Sequence, residues 1–147
     1  MSATMTTAER EAFLADTRIG VLSVAGDDGR PPTAVPLWYS YEPGGELRFA
    51  TGADSAKMRL IRAAGQIGFT VQQEAMPYRY VSLEGTVVGW SATDADEYRT
   101  WAIRYLGEVE GERFSDAIEG FVRTMVTVRV KPARWRTYDF GRELAGM

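Results

Sequence analysis

Neither cysteine nor histidine occurs anywhere in the chain. Without cysteine there are no disulfides, thiolate metal sites or cysteine nucleophiles. Without histidine, most zinc, copper and haem sites and the Ser-His nucleophile pair fall away as well. An acidic cluster holding magnesium or calcium stays open. The remaining chemistry favours a bound organic cofactor that the protein positions and surrounds with charge.

A strong charge imbalance is also missing. Seventeen Lys and Arg against 20 Asp and Glu leave a net charge of −3, whereas a dedicated nucleic-acid binder is usually basic. Long apolar runs are absent too, and no stretch approaches the roughly 20 residues that span a bilayer. The first twenty residues carry acidic side chains and no sustained apolar run, so no signal peptide is expected. These readings point to the cytoplasm, with no nucleic-acid or membrane partner. The 147 residues fit one domain, 1–147, large enough to bury a core without staples.

What is present alternates. Thr6-x-x-Glu9 has the form of a capping box and predicts a helix to about Ala15. Ile19 to Ala25 reads as a strand, and Asp28-Gly29 as a tight hairpin turn. Thr33 to Tyr41 alternates cleanly and reads as one strand in which Pro36 marks an edge, a bulge or a ligand. Leu47, Phe49 and Thr51 predict a third strand, and Ser55 to Ala64 a helix stopped by Gly65. Ile67 to Val71 and Tyr78 to Trp90 follow as strands, the second bent at Gly85 and Gly89. Tyr98, Trp101, Ala102 and Tyr105, then Phe114, Ala117, Ile118 and Phe121, fall at helical spacing, and their aromatic rings read as packing. The acidic stretch Gly107 to Gly111 reads as a loop between these two helices. Val126 to Val130 is the last strand, ending before Pro132 and a mixed aromatic and basic segment. Hairpins with helices between them predict a mainly β fold, an antiparallel barrel with peripheral helices.

The segment Phe49-Ala50-Thr51-Gly52-Ala53-Asp54-Ser55-Ala56-Lys57 is the candidate for binding chemistry. A strand ends, glycine turns the chain, and a helix opens with small residues and a lysine, so unpaired backbone amides face whatever precedes it. Two readings stay open. It cradles a phosphate, with Arg59 and Arg62 adding positive charge nearby; or Asp54 or Ser55 merely caps the helix and Lys57 is solvated. It is not a Walker loop, whose spacing it lacks.

Several pieces in order resemble the flavin- and deazaflavin-binding split β-barrels related to pyridoxamine 5′-phosphate oxidase. They are Ile19-Gly20-Val21-Leu22, Asp28-Gly29-Arg30-Pro31, Val35-Pro36-Leu37-Trp38-Tyr39, Leu47-x-Phe49-Ala50-Thr51, Ser55-x-Lys57, Arg59-x-Ile61-Arg62 and Val81-Ser82-Leu83-Glu84-Gly85. The resemblance implies an antiparallel split β-barrel with a helical elaboration at about 94–123. It implies FMN, or alternatively the deazaflavin coenzyme F-420, as cofactor. Ser55 and Lys57, at a helix start that includes Ala56, would hold the phosphate. Val35, Pro36, Leu37 and Trp38 would lie along the ring, and Ala50 and Thr51 along the ribityl chain. Tyr80 would point at the ring, and Trp135 would close the site from a second subunit. Arg48 is the candidate for a further phosphate-binding arginine.

Gln72 and Gln73 could bond the ring's pyrimidine edge, although glutamines at a strand end are usually just exposed. Tyr39, Tyr80 and Lys57 are the candidates for moving a proton. The chain departs from true pyridoxamine-phosphate oxidases by ending Tyr138-Asp139-Phe140-Gly141-Arg142, without their Arg-Leu-His-x-Arg motif, so that substrate is not expected. Implied instead is an oxidoreductase passing hydride between cofactor and a small organic substrate. The alternatives are a non-catalytic flavin carrier or stress-related protein, and haem handling, which the missing histidine weakens. A homodimer is expected on a second ground. Trp38, Tyr39, Tyr41, Tyr80, Trp101, Trp135 and Tyr138 are more aromatics than one small barrel easily buries.

Overall fold

The computed structural model describes residues 2–147. In chain order the elements are α1 (Thr7–Ala15), β1 (Gly20–Val24), β2 (Thr33–Leu37), β3 (Ser40–Tyr41), β4 (Leu47–Gly52), α2 (Ala56–Ala64), β5 (Gln66–Gln73) and β6 (Arg79–Ala92). They continue with α3 (Ala95–Leu106), α4 (Glu108–Ala117), α5 (Glu119–Val122), β7 (Met125–Asp139) and α6 (Phe140–Ala145). The seven strands form one sheet in the order β2-β1-β5-β6-β7-β4-β3, and every pairing is antiparallel. The sheet does not close. Its two free edges, β2 and β3, are consecutive in the chain and joined only by Trp38 and Tyr39. The result is a split barrel with helices at its periphery.

The inner face follows the strand period of two. Leu22 and Val24, Leu47 and Phe49, Ile67, Phe69 and Val71, Val81 and Leu83, and Val128 and Val130 are all buried in one core. Gly20 sits opposite Val71, and a Cβ there would collide with the Phe69 ring. Glycine thus lets the ring lie flat against β1. No helix among the described residues is long and apolar enough to cross a membrane.

Local signals behave as read. Thr6 and Glu9 complete the capping box, Asp28 and Gly29 take φ of 51° and 73°, and Gly65 is left-handed at 68°. Three expectations change. The stretch Thr33 to Tyr41 is two strands, because the chain must leave one edge of the sheet and join the other. The stretch Gly107 to Gly111 is no loop. Gly107 turns the chain alone, at φ 88°, and α4 begins at Glu108, with Glu108 and Glu110 in its first turn, where acidic charge suits the helix dipole. Gly111 lets α4 lie directly on α3, since a Cβ there would meet the backbone of Ile103.

Finally, Pro132 does not end the last strand. It lies opposite Gly85, and Glu84 pairs with Arg134, so Ala133 bulges out unpaired. A residue without an N–H is tolerated at such a point. The bulge also changes parity: Val128 and Val130 face the core before it, and Trp135, opposite buried Leu83, faces the core side after it.

The crossover is fastened from two directions. Tyr39 is fully buried, and its hydroxyl donates to Leu14 O at 2.7 Å. The Tyr105 hydroxyl accepts from the Tyr39 amide at 3.2 Å and donates to Arg18 O at 2.6 Å. Next to it, the Arg104 guanidinium donates to Thr17 Oγ1 (3.0 Å), Tyr39 O (3.1 Å), Ala15 O (3.1 Å) and Asp16 O (2.8 Å). One side chain of α3 therefore satisfies carbonyls at the end of α1 and at the crossover together. Arg104→Ala takes the nearest donor from Asp16 O and the only side-chain donor from Ala15 O, and leaves Tyr39 O with the Tyr105 hydroxyl alone. It should cost about 2–3 kcal/mol, read as a lowered urea midpoint with an unchanged slope.

Candidate functional site

The candidate binding segment begins where β4 runs out. The Ala53 amide donates to Thr124 O (3.0 Å) and the Ser55 amide to Gly52 O (3.1 Å), closing a tight turn. Ser55 caps α2: its hydroxyl accepts from the Met58 amide (3.2 Å) and donates to Gly52 O (2.8 Å). The capping reading of Ser55 therefore holds, whatever else it binds. Ahead of Met58, the Ala56 and Lys57 amides belong to the first turn, where a helix has no acceptor of its own.

The basic side chains around this turn differ in their commitments. Arg59 pairs with Asp27 at 2.5 Å, and the carboxylate raises the Arg59 pKa while the guanidinium lowers that of Asp27. Arg48, on β4, faces Glu97 of α3 and holds both carboxylate oxygens at 2.9 Å. The arginine offered by the sequence for phosphate is thus already paired. Arg62 donates to Ala53 O (3.1 Å) and lies 5.7 Å from the centre of the Trp90 ring. Among the described residues Lys57 forms no ion pair. It is a half-buried cation at a helix start without a carboxylate partner.

Beside this turn Leu37, Trp38 and Ala50 meet in one recess beneath α3 and α4. The Trp38 ring stacks on Tyr105, with centroids 5.0 Å apart and planes within 4°, and meets the Phe114 ring edge-on at 5.6 Å. Thr51 alternates with Ala50 and is buried, its hydroxyl 3.5 Å from that of Ser55. Val35 packs against the barrel core, whereas Pro36 is exposed on edge strand β2, opposite Val21. There it borders an outer groove with Ile19, Val21, Thr70 and Gln72. Gln73, a candidate for the pyrimidine edge, is taken up by its own turn. It donates to Ala75 O and Pro77 O and accepts from Arg79 at 2.6 Å.

Tyr80 and Trp135 lie elsewhere. Tyr80 is exposed, opposite Gln72 and Tyr138, and stacks on the Tyr138 ring at 6.2 Å. Trp135 packs beneath α1, with the Arg10 guanidinium 4.3 Å above its ring and Tyr41 edge-on at 6.3 Å. Ala50 pairs with Thr127, and Trp135 is eight residues further along β7, roughly 25 Å away at strand spacing. Within one chain, then, Trp135 is distant from Ala50 along β7 and packs on the core side of the sheet, while Tyr80 lies on the outer side. Sequence reading missed the part of Tyr98, Trp101 and Phe114 in lining the recess, because helical spacing marks an aromatic as packed without naming what it packs against.

The pyridoxamine 5′-phosphate oxidase family model matches residues 6–139. The chain belongs to this family. No curated protein matches it. Among solved structures, it is similar to a conserved hypothetical protein from Mycobacterium tuberculosis, with TM-score 0.75 and 24% identity over 99% of this chain and 91% of that one. An F-420 reductase gives TM-score 0.68 and 23% identity over 86% of this chain and 94% of that one. A FAD-binding protein from Mesorhizobium loti gives 0.60 and 18% over 91% and 93%. At these identities the likeness to the solved structures is one of fold, the split barrel of a family whose members include flavin and deazaflavin binders. Among the described residues no group of three or more acidic side chains is arranged to hold a metal ion.

Because Ser55 caps α2 with no cofactor involved, Ser55→Ala should lower stability by about 1 kcal/mol. The loss is measured by chemical denaturation of protein shown by absorbance to carry no flavin.

Proposed function

We propose that this chain is a cytoplasmic FMN- or deazaflavin-dependent oxidoreductase, a homodimer that passes hydride between bound cofactor and a small organic substrate. The observation that carries the reading is Lys57, a cation without a carboxylate partner, beside the open first-turn amides of α2 in a member of this family. An anion at that turn would meet a positive charge and two backbone donors, which is the chemistry a phosphate needs. Lys57 and the amides of Ala56 and Lys57 would hold the phosphate. Ala50 and Thr51 would line the chain leading from it, and the strand Val35, Pro36, Leu37 and Trp38 would lie along the ring largely through its backbone. FMN is the favoured cofactor. The longer deazaflavin tail needs a further cation, for which Arg62, held only by a carbonyl and a ring face, is freer than Arg59.

When bound, the cofactor supplies two-electron hydride chemistry. The chain's own residues bind and orient. Tyr39 is withdrawn from proton transfer: its hydroxyl is spent on Leu14 O, and burial pushes its pKa well up. With Lys57 given to the phosphate, solvent would supply the proton that completes reduction of the substrate.

The separate placement of these aromatic residues supports a dimer. Tyr80 and Trp135 would contribute to the site from the second subunit. Aromatic excess as such is a weaker argument than the sequence promised, because Tyr39, Tyr41 and Trp101 are buried within one chain. Among the exposed apolar side chains are Ile19, Val21 and Tyr80 on the outer sheet, with Tyr78 just before β6, which a second copy would cover.

Side-by-side titration with FMN and F-420 tests the cofactor. One of them should bind at micromolar concentration or below, and Lys57→Ala should weaken it roughly tenfold to a hundredfold. Indifference to both cofactors would sink the oxidoreductase reading.

Sedimentation tests the assembly. A dimer mass is expected at micromolar concentration, with roughly 2,000 Å² buried in all. Trp135→Ala should loosen the cofactor while the dimer persists, whereas a monomer that binds cofactor tightly refutes the shared site.

A further inference from the structure

Of the four tryptophans, three pack against other rings. Trp38 and Trp101 meet Tyr98, and Trp135 meets Tyr41. Trp90 is 45% exposed and, among the described residues, has no ring partner. It stands near the end of β6 opposite Val128, which is itself opposite Phe49 on β4. Residues directly opposite across a ladder share a face. Trp90 is thus on the side of the sheet that carries these two buried side chains, yet it takes no part in their core. A ring of this size left in water is unfavourable unless something covers it.

Arg62 links this ring to the turn before α2. Its guanidinium donates to Ala53 O at 3.1 Å and lies 5.7 Å from the centre of the Trp90 ring, near the outer limit of a cation–π contact. Among the described residues it has no carboxylate partner. The turn and the end of β6 also share neighbours at the start of β7: the Ala53 amide donates to Thr124 O, and the Thr93 amide to Met125 O. A flat π surface beside a guanidinium is the kind of surface on which nucleobases stack, and stacking asks little of a base beyond its ring face. A string of carboxylates suits the place less well. Arg62 is a single cation, and exposed Asp54 follows Ala53 directly in the chain.

We infer that Trp90 and Arg62 form a stacking platform for the base of a nucleotide whose phosphates lie at the turn before α2. The place of the phosphates rests on the function proposed above; the platform itself is measured separately. In terms of that function, the FMN portion keeps its position and the platform adds an adenylate to its phosphate.

The probes are ADP and inorganic pyrophosphate, which share the phosphates and differ in the base, titrated calorimetrically into the purified full chain. ADP should saturate one site per chain and bind at least fivefold more tightly than pyrophosphate, the lower end of what stacking one base on an aromatic ring contributes. Trp90→Ala should erase that margin and leave pyrophosphate unchanged, whereas Trp90→Phe, which keeps an aromatic face, should retain most of it. ADP no tighter than pyrophosphate, or undiminished in Trp90→Ala, overturns the inference. So does a Trp90→Ala chain that sediments as a monomer where the parent is a dimer, because Trp90 then belongs to the subunit interface. FAD and FMN titrated into the same samples separate the two readings. FMN that binds with no advantage for FAD or ADP removes the platform and keeps the oxidoreductase. An ADP margin that depends on Trp90 where neither flavin binds keeps the platform and removes the oxidoreductase.

Discussion

A split barrel has to carry its chain from one edge of the sheet to the other without a strand to support the passage. Here that passage is Trp38 and Tyr39, and the Arg104 guanidinium is the group on which it depends. Arg104 gathers carbonyls from Ala15, Asp16 and Tyr39, and so ties the end of α1 to the crossover. Tyr105, one residue on, fixes the Tyr39 amide and supplies the face on which Trp38 stacks. The same helix, α3, therefore fastens the crossover and walls the recess.

Local chemistry was legible in the sequence, and long-range chemistry was not. The Asp28-Gly29 turn, the Ser55 cap, the left-handed Gly65 and the irregularities at Gly85 and Gly89 were readable because each is decided by neighbours within a few residues. The break at Trp38 was hidden because alternation continues through it, and the contacts that fasten it come from 66 and 65 positions away. Glu108 to Glu110 looked like a loop because acidic residues between glycines carry no apolar stripe. The helix there is set by Gly111 pressing on Ile103, an approach no window of sequence reveals. Likewise Pro132 promised a strand end, and only its pairing with Gly85 makes it a bulge instead.

The candidate site was legible to the same extent. Ser55, Ala56 and Lys57 sit at a helix start, as read, because a cap and a first turn are local features. Which of the nearby arginines are free was not legible. Arg48 and Arg59 are spoken for by Glu97 and Asp27, partners from other elements, and this leaves Lys57 and Arg62 as the available positive charge. The distance of Trp135 from Ala50 follows from one long strand running the length of the barrel.

Pro36 has a further effect through its place in the sheet. An edge strand exposes a row of amide donors that can recruit another strand, and uncontrolled pairing of this kind ends in aggregation. β2 is such an edge, and proline at its fourth residue removes one donor from the row. The opposite edge, β3, is only two residues long and offers little to pair with. An unclosed barrel with one interrupted edge and one abbreviated edge can stay open at its seam, accessible to small molecules, without becoming a template for the growth of a fibre.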